Sequence, residues 1–259
     1  MLHRLRVLAP LLVAIAGLYA CGGGGGGGGA TAPTPTVPPP PPPPVPTNMG
    51  GIWEGTSNTS GLILNFAGVI TENREGRFFD DNGTQYILSN ISGNDGNVAI
   101  DFTAVAQFGF VFLDGSTLTT GSLTGTVVER TSFNGNYSIA TGESGTISLT
   151  YNSIYDRDSS FDKLTGMWDE DGFGILTFNP DGSFFEQDTF GCVFDGQASI
   201  IDPAYNVYSL TMTVSLCGAG SDGDYSGLGV LTDFNATDDV FIVQLNSDNL
   251  IFTTSLLRL

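Results

Sequence analysis

Carboxylates dominate the side chains of this sequence that could do chemistry. Twenty-seven Asp and Glu stand against eight Lys and Arg, one His and three Cys in 259 residues. His3, Arg4 and Arg6 all fall within the first twenty residues, so the remainder carries six basic residues against twenty-seven acidic ones, net −21, and Lys163 is its only lysine. With no histidine beyond position 3, Ser-His-Asp and Cys-His catalysis, His-ligated zinc and haem each lack a required participant. No cluster of Lys and Arg exists to displace counterions from nucleic acid or to hold anionic lipid headgroups. Adjacent acids recur at Asp80-Asp81, Asp169-Glu170-Asp171, Asp222 with Asp224, and Asp238-Asp239. Such oxygen-rich loops suit calcium, and Asp169 and Asp171 are the best of the set. None has the spacing of a known calcium loop, however, and Asp is a preferred turn residue, so the expectation is no metal and no cofactor. A hydrolase built on two carboxyl groups would have to draw them from different strands, because neighbours along a strand point to opposite faces. No pattern marks such a pair, and the chain is not expected to be an enzyme.

These residues are distributed over an N-terminal leader, a tether and a β-rich remainder. Residues 1–20 run from a charged start into the apolar stretch Val7–Ala20, about 14 residues and too short for a bilayer that needs roughly 20. They read as an export signal. Its end, Leu18-Tyr19-Ala20-Cys21, resembles the lipobox of bacterial lipoproteins, apart from Tyr19 where that family has a small residue. The resemblance implies acylation of Cys21 and, with Gly22 following instead of Asp, an address at the outer membrane, on its periplasmic face or at the cell surface. Ordinary secretion with an incidental cysteine is the plainer alternative. Residues 21–48 form the linker: an unbroken glycine run from Gly22 to Gly29, then ten of the thirteen prolines between Pro33 and Pro46. Neither tract can bury apolar surface. The first reads as a disordered flexible coil and the second as a semi-rigid polyproline spacer of roughly 40 Å.

The remainder repeats itself. Gly51-Ile52-Trp53 returns as Gly166-Met167-Trp168, Ile63-Leu64-Asn65-Phe66 as Ile175-Leu176-Thr177-Phe178, and Gly76-Arg77-Phe78-Phe79-Asp80 as Gly182-Ser183-Phe184-Phe185-Glu186. Two β domains are therefore expected, residues 49–160 and 164–259. Both alternate apolar and polar residues at the period of a half-buried strand, as in Val98-Ala99-Ile100-Asp101-Phe102-Thr103, and Asn-Gly or Asp-Gly pairs punctuate them as tight turns. The second unit divides into eight such runs, the number at which a sheet can close and fill its interior. The expected fold class is all-β: two tandem antiparallel up-and-down barrels of about eight strands each, with β-sandwiches as the alternative topology. Cys192 and Cys217 are centred on the turn-like segment Asp202–Asn206, so a hairpin there would bring them together. With Cys21 assigned to lipid they are the remaining thiols of an exported chain, and a disulfide is expected.

A Gly-x-Trp opening a compact eight-strand antiparallel unit resembles the calycins, the lipocalins and avidin-like proteins. In lipocalins that tryptophan closes one barrel end and packs on an arginine near the last strand. The resemblance implies the pairs Trp168 with Arg258 and Trp53 with Arg157, acting in barrel-end packing or in lining a ligand pocket. The residues alone read the tryptophans as barrel plugs, since a buried aromatic usually packs a core.

Together these features imply a lipid-anchored protein of the cell envelope that binds or interacts, with two readings open. Each barrel could hold a small apolar ligand, or solid barrels could meet a basic envelope macromolecule through an acidic surface. A carboxylate-based hydrolase ranks third.

Overall fold

The computed structural model describes residues 42–259 except 108, 171, 219, 248 and 249. The leader, Cys21 and most of the Gly/Pro linker lie outside the described residues. Two closed antiparallel barrels follow one another along the chain. The first is built from β1 (Gly51–Thr59), β2 (Leu62–Ile70), β3 (Gly76–Asp80), β4 (Gln85–Asn94), β5 (Asn97–Val105), β6 (Leu118–Val128), β7 (Ser132–Ile139) and β8 (Ser144–Asn152), with β8 pairing back onto β1. The second contains β9 (Gly166–Asp169), β10 (Ile175–Phe178), β11 (Ser183–Gln187), β12 (Val193–Ile200), β13 (Tyr208–Ser215), β14 (Gly223–Thr232), β15 (Val240–Asn246) and β16 (Ile251–Arg258), closed by β16 on β9. Every strand pairs with its sequence neighbours, as the short turns dictate, and the sandwich alternative does not apply.

Alternation decides the faces. In β5, Val98, Ile100, Phe102 and Ala104 are buried while Asn97, Ala99 and Asp101 are exposed. In β13, Tyr208, Leu210, Met212 and Val214 point inward. The outward positions of β6 and β8 are mainly short and polar, among them Thr120, Ser122, Thr124, Thr146 and Ser148. This polarity is the inverse of a barrel that faces lipid. No helix among the described residues is long and apolar enough to cross a membrane.

Glycine lets the interiors close over large rings. Gly121 lies directly across from Phe102 on β5, and Gly196 across from Phe184 on β11. A Cβ on either glycine would come within 2.3 Å of that phenylalanine's ring. The ring thus occupies the space an interior side chain would take.

One end of each barrel is plugged by its tryptophan. Trp53 and Trp168 are fully buried, and each donates its indole N–H to the carbonyl four residues earlier, Trp53 to Met49 at 3.0 Å and Trp168 to Leu164 at 2.7 Å. In the second barrel this carbonyl belongs to the short helix α1 (Phe161–Leu164), which follows a 3-10 turn at Ser153–Asp156. The segment between the barrels is thus folded onto the plugged end of the second one. The first barrel also reaches further toward the N-terminus than residue 49. Thr47 donates its N–H to the Gly93 carbonyl and accepts from Gly96 N–H, and Val45 accepts from Asp95 N–H, so residues 45–48 lie along the β4–β5 hairpin. A short segment read as linker thereby satisfies backbone groups that the hairpin would otherwise leave open.

The two barrels lie side by side in the same orientation. At their plugged ends Tyr155 stacks on Tyr205 with centroids 4.9 Å apart, and Asn206 donates to the Ile154 and Leu231 carbonyls. At the opposite ends, the mouths, Gln85 donates to the Phe252 carbonyl and to Thr253 Oγ1. Between these contacts Ile52, Val69, Val207, Leu228 and Val230 form a buried apolar cluster. It explains why β14 is buried on both faces from Gly227 to Leu231 instead of alternating.

Candidate functional site

Side chains fill both barrel interiors. The first, ringed by Phe66, Phe78, Tyr86, Phe102, Phe133 and Tyr137, leaves about 30 Å³, and the second about 20 Å³. That is room for a water or two, against the roughly 300–1,000 Å³ of small-molecule sites. Among the described residues, neither barrel interior leaves a chamber of the size that a small apolar ligand needs.

Arg258 lies over the Trp168 ring, 4.4 Å from guanidinium carbon to centroid, and donates to the carbonyls of Thr165 and Lys163. The expected pairing of Trp53 with Arg157 does not occur. Barrel register gives the reason: Arg258 is the cross-strand partner of Trp168, and the residue opposite Trp53 is Tyr151, which meets the indole edge-on at 5.6 Å. Arg157 lies beyond the strand and is held by Asp233 and Asp238 of the second barrel at 2.6 and 2.9 Å. Its bidentate hydrogen bond keeps the Asp233 carboxyl down at about 2. Neither tryptophan is among the residues that line the two barrel cavities.

Most acid pairs are occupied by turns. Asp80 accepts from Asn82 N–H, Thr84 N–H and the Tyr86 hydroxyl, and Asp222 from Cys217 and Gly218 N–H. Burial acts to raise Asp239, but N–H groups of Phe234, Asn235 and Ala236 outweigh it and hold this carboxyl below its usual range. Asp169 accepts from Gly172 N–H, and Asp171 lies outside the described residues. Among the described residues no group of three or more His, Cys, Asp or Glu could hold a metal ion.

One carboxyl pair differs, at the mouth of the second barrel. Glu170 stands two residues after Trp168 and Glu186 two after Phe184, so both continue the inward faces of β9 and β11 and line the 20 Å³ cavity with Thr254, Phe194, Phe252 and Leu256. Glu186 is only 3% exposed, and its Oε1 has no hydrogen-bond partner. Gly174 makes room for it: a Cβ there would lie 1.7 Å from that oxygen. Burial, reinforced by the charges of Glu170, Asp188 and Asp169, pushes the Glu186 carboxyl up to about 7, and burial raises Glu170 as well. Above them Phe173 and Phe190, both exposed, bring their rings to 6.3 Å on two adjoining turns. The Cys192–Cys217 disulfide, with Cα atoms 4.5 Å apart, ties the β12–β13 hairpin at this same end. Two carboxyl groups with raised pKa could exchange a proton with a substrate, yet the space between them admits no sugar ring. The sequence carried one signal of this site, the alignment of Glu186 with buried Asp80 in the repeat. Glu170 carried none, because its partner comes from another strand.

No family model matches the chain, and no curated protein matches it significantly. It is similar to a solved structure of a candidate outer membrane protein from Bacteroides fragilis at 12% identity, over 81% of this chain and 87% of that one, with a TM-score of 0.30. A likeness at that score carries no argument about this chain.

Proposed function

We propose that this protein is an envelope lipoprotein, acylated at Cys21 and held at the outer membrane, whose two solid barrels form an interaction module for a basic macromolecule. The filled interior is the observation that carries this reading: with about 30 and 20 Å³ inside, recognition falls to the outer surface. That surface is acidic, and the mouth-side turns add exposed apolar side chains, Leu62, Phe110 and Leu113 on the first barrel and Phe173, Phe190 and Leu216 on the second. Pull-down from envelope extracts should capture a basic protein at low salt and release it near ~0.5 M, where screening shortens charge interactions to a few Å. Failure to retain any basic protein at low salt overturns the reading. Mass analysis of the membrane fraction should find acyl chains on Cys21, and Cys21→Ser should move the protein to the soluble fraction.

A further inference from the structure

We propose that the mouth turns of the two barrels form a docking face for a basic, amphipathic segment of another protein, whose apolar residues seat on exposed Phe and Leu side chains and whose Lys or Arg pair with the acids between them. This deepens the proposed interaction role, and rests on that reading for the partner's place in the envelope. Charge is divided between the two ends of the barrels. All six basic residues past the leader lie toward the plugged ends: Arg74 and Arg130 in turns there, Arg77 at the start of β3, Arg157 and Lys163 in the segment between the barrels, and Arg258 over Trp168. The mouth turns carry Asp81, Asp114, Glu143, Asp188 and Asp222 and no Lys or Arg. Every salt bridge among the described residues is made by Arg77, Arg130, Arg157 or Lys163, none of them at a mouth. The mouths therefore hold a net negative charge, and its field draws cations.

The same turns present apolar anchors. In the β5–β6 turn Phe112 packs on the core of the first barrel, donates its N–H to the Ser116 carbonyl and accepts from Gly115 N–H. Its neighbours Val111 and Leu113, and Phe110 before them, are exposed. On the second barrel Phe173 and Phe190 bring exposed rings to 6.3 Å, and Leu216 is exposed beside the disulfide. Leu216 holds a φ of 63°, a left-handed conformation that bulky residues rarely adopt. The next residue imposes it: Cys217 is tied to Cys192, and its N–H donates to Asp222. That leucine costs the fold backbone strain while burying little of its own surface, the balance expected of a contact residue. Charge selects the occupant. A second copy seated mouth to mouth would set acid against acid, and an anionic lipid surface would be repelled. A segment in which Lys or Arg stand among large apolar residues meets both the anchors and the charge, as the apolar centre and polar rim of protein interfaces do. The disulfide and the turn hydrogen bonds hold the anchors in place beforehand, which lowers the ordering cost of binding.

The test uses the full chain carrying Cys21→Ser, so that no acyl group contributes. It is titrated at low salt, by fluorescence anisotropy, with a labelled amphipathic peptide of Lys and Leu, an isomer of the same composition in scrambled order, and an amphipathic peptide of Glu and Leu. The Lys/Leu peptide should bind saturably and more tightly than its isomer, and the Glu/Leu peptide should not bind. Phe190→Ser and Leu113→Ser should each weaken binding by roughly tenfold, as loss of an interface anchor does. Phe234→Ser, in a turn at the plugged end and 75% exposed against 78% for Phe190, should leave binding unchanged. Leu216→Asn serves if either mouth variant fails to fold: Asn tolerates the left-handed backbone, so binding should fall while the denaturation midpoint does not. Undiminished binding by the folded mouth variants, equal binding of the isomer, or an equal loss on Phe234→Ser overturns the proposal. Adsorption to phosphatidylcholine or phosphatidylglycerol vesicles that Phe190→Ser abolishes, or a dimer that Phe190→Ser dissociates, gives the face to lipid or to a second copy and also overturns it. A basic protein from the pull-down held equally by the mouth variants leaves the envelope interaction standing and overturns the mouth docking. An empty pull-down with peptide binding intact overturns the broader reading alone.

Discussion

At the scale of single residues the chain separates acids that hold turns from acids that face the interior. Asp239 and Asp233 sit among donors and are stabilised as anions; Glu186 sits among ring carbons and other carboxylates and is stabilised as the acid. Folding therefore makes Glu186 bind its proton more tightly, moving it from an ordinary 4.5 to about 7. The unfolded chain releases that proton first, so stability falls with rising pH: the contribution is full below about pH 4.5 and lost as pH passes through 7. Glu170 and Asp80, also raised by burial, act in the same direction. Denaturant unfolding at pH 5 should exceed that at pH 8 by about 2–3 kcal/mol, and Glu186→Gln should remove most of the difference. Equal stability at both pH values would contradict the buried placement of this carboxyl. Legibility at this scale was uneven. The cysteine pair and the two tryptophans stood out by rarity and symmetry, whereas Glu170 and Glu186 were two among twenty-seven acids and only barrel closure brings them together.

At the scale of strands, patterning was informative because each strand has one wet face and one dry one. All eight runs of the second unit correspond to strands, with ends trimmed by a few residues where turn hydrogen bonds take over. Glycine inside a strand was less legible, since the same residue marks turns, bulges and close approaches. Gly121 and Gly196 are close approaches, each lending its interior side to a cross-strand phenylalanine. A Cβ on Gly196 would also press on the Thr211 carbonyl at 2.3 Å, a backbone atom that cannot swing aside. Gly196→Ala should cost about 1–3 kcal/mol by overpacking, measured as a lower denaturation midpoint at unchanged slope. Ala at the turn glycine Gly191 is a control for backbone strain, because nothing lies within 4 Å of a Cβ there and only its φ of +93° opposes the change. A Gly196→Ala protein as stable as the parent would refute the packing account.

At the scale of the whole molecule, the repeat reads as two tandem domains, and the barrels share a buried cluster. Tyr155, completely buried, stacks on Tyr205 across the junction, and Arg130 lies between Tyr151 and Tyr205. Calorimetry should accordingly show one cooperative transition with calorimetric and van't Hoff enthalpies in agreement. Val230→Asp, which places a charge in the shared cluster, should split it into two. Two separate transitions in the unmodified protein would mean that the barrels are thermodynamically independent.

The sequence by itself determined the class of fold, the strand count and the disulfide, because these follow from local periodicity, turn chemistry and spacing along one chain. It also narrowed the chemistry, since a chain with no histidine past position 3 lacks a participant that His-dependent mechanisms need there. Tertiary structure decided that the barrels are filled, that Trp53 meets Tyr151 while Arg157 crosses to the second barrel, that both mouths face one way, and that two glutamates converge at one of them. Those outcomes depend on interior volume and on contacts between strands far apart in sequence, and alternation along a strand carries information about neither.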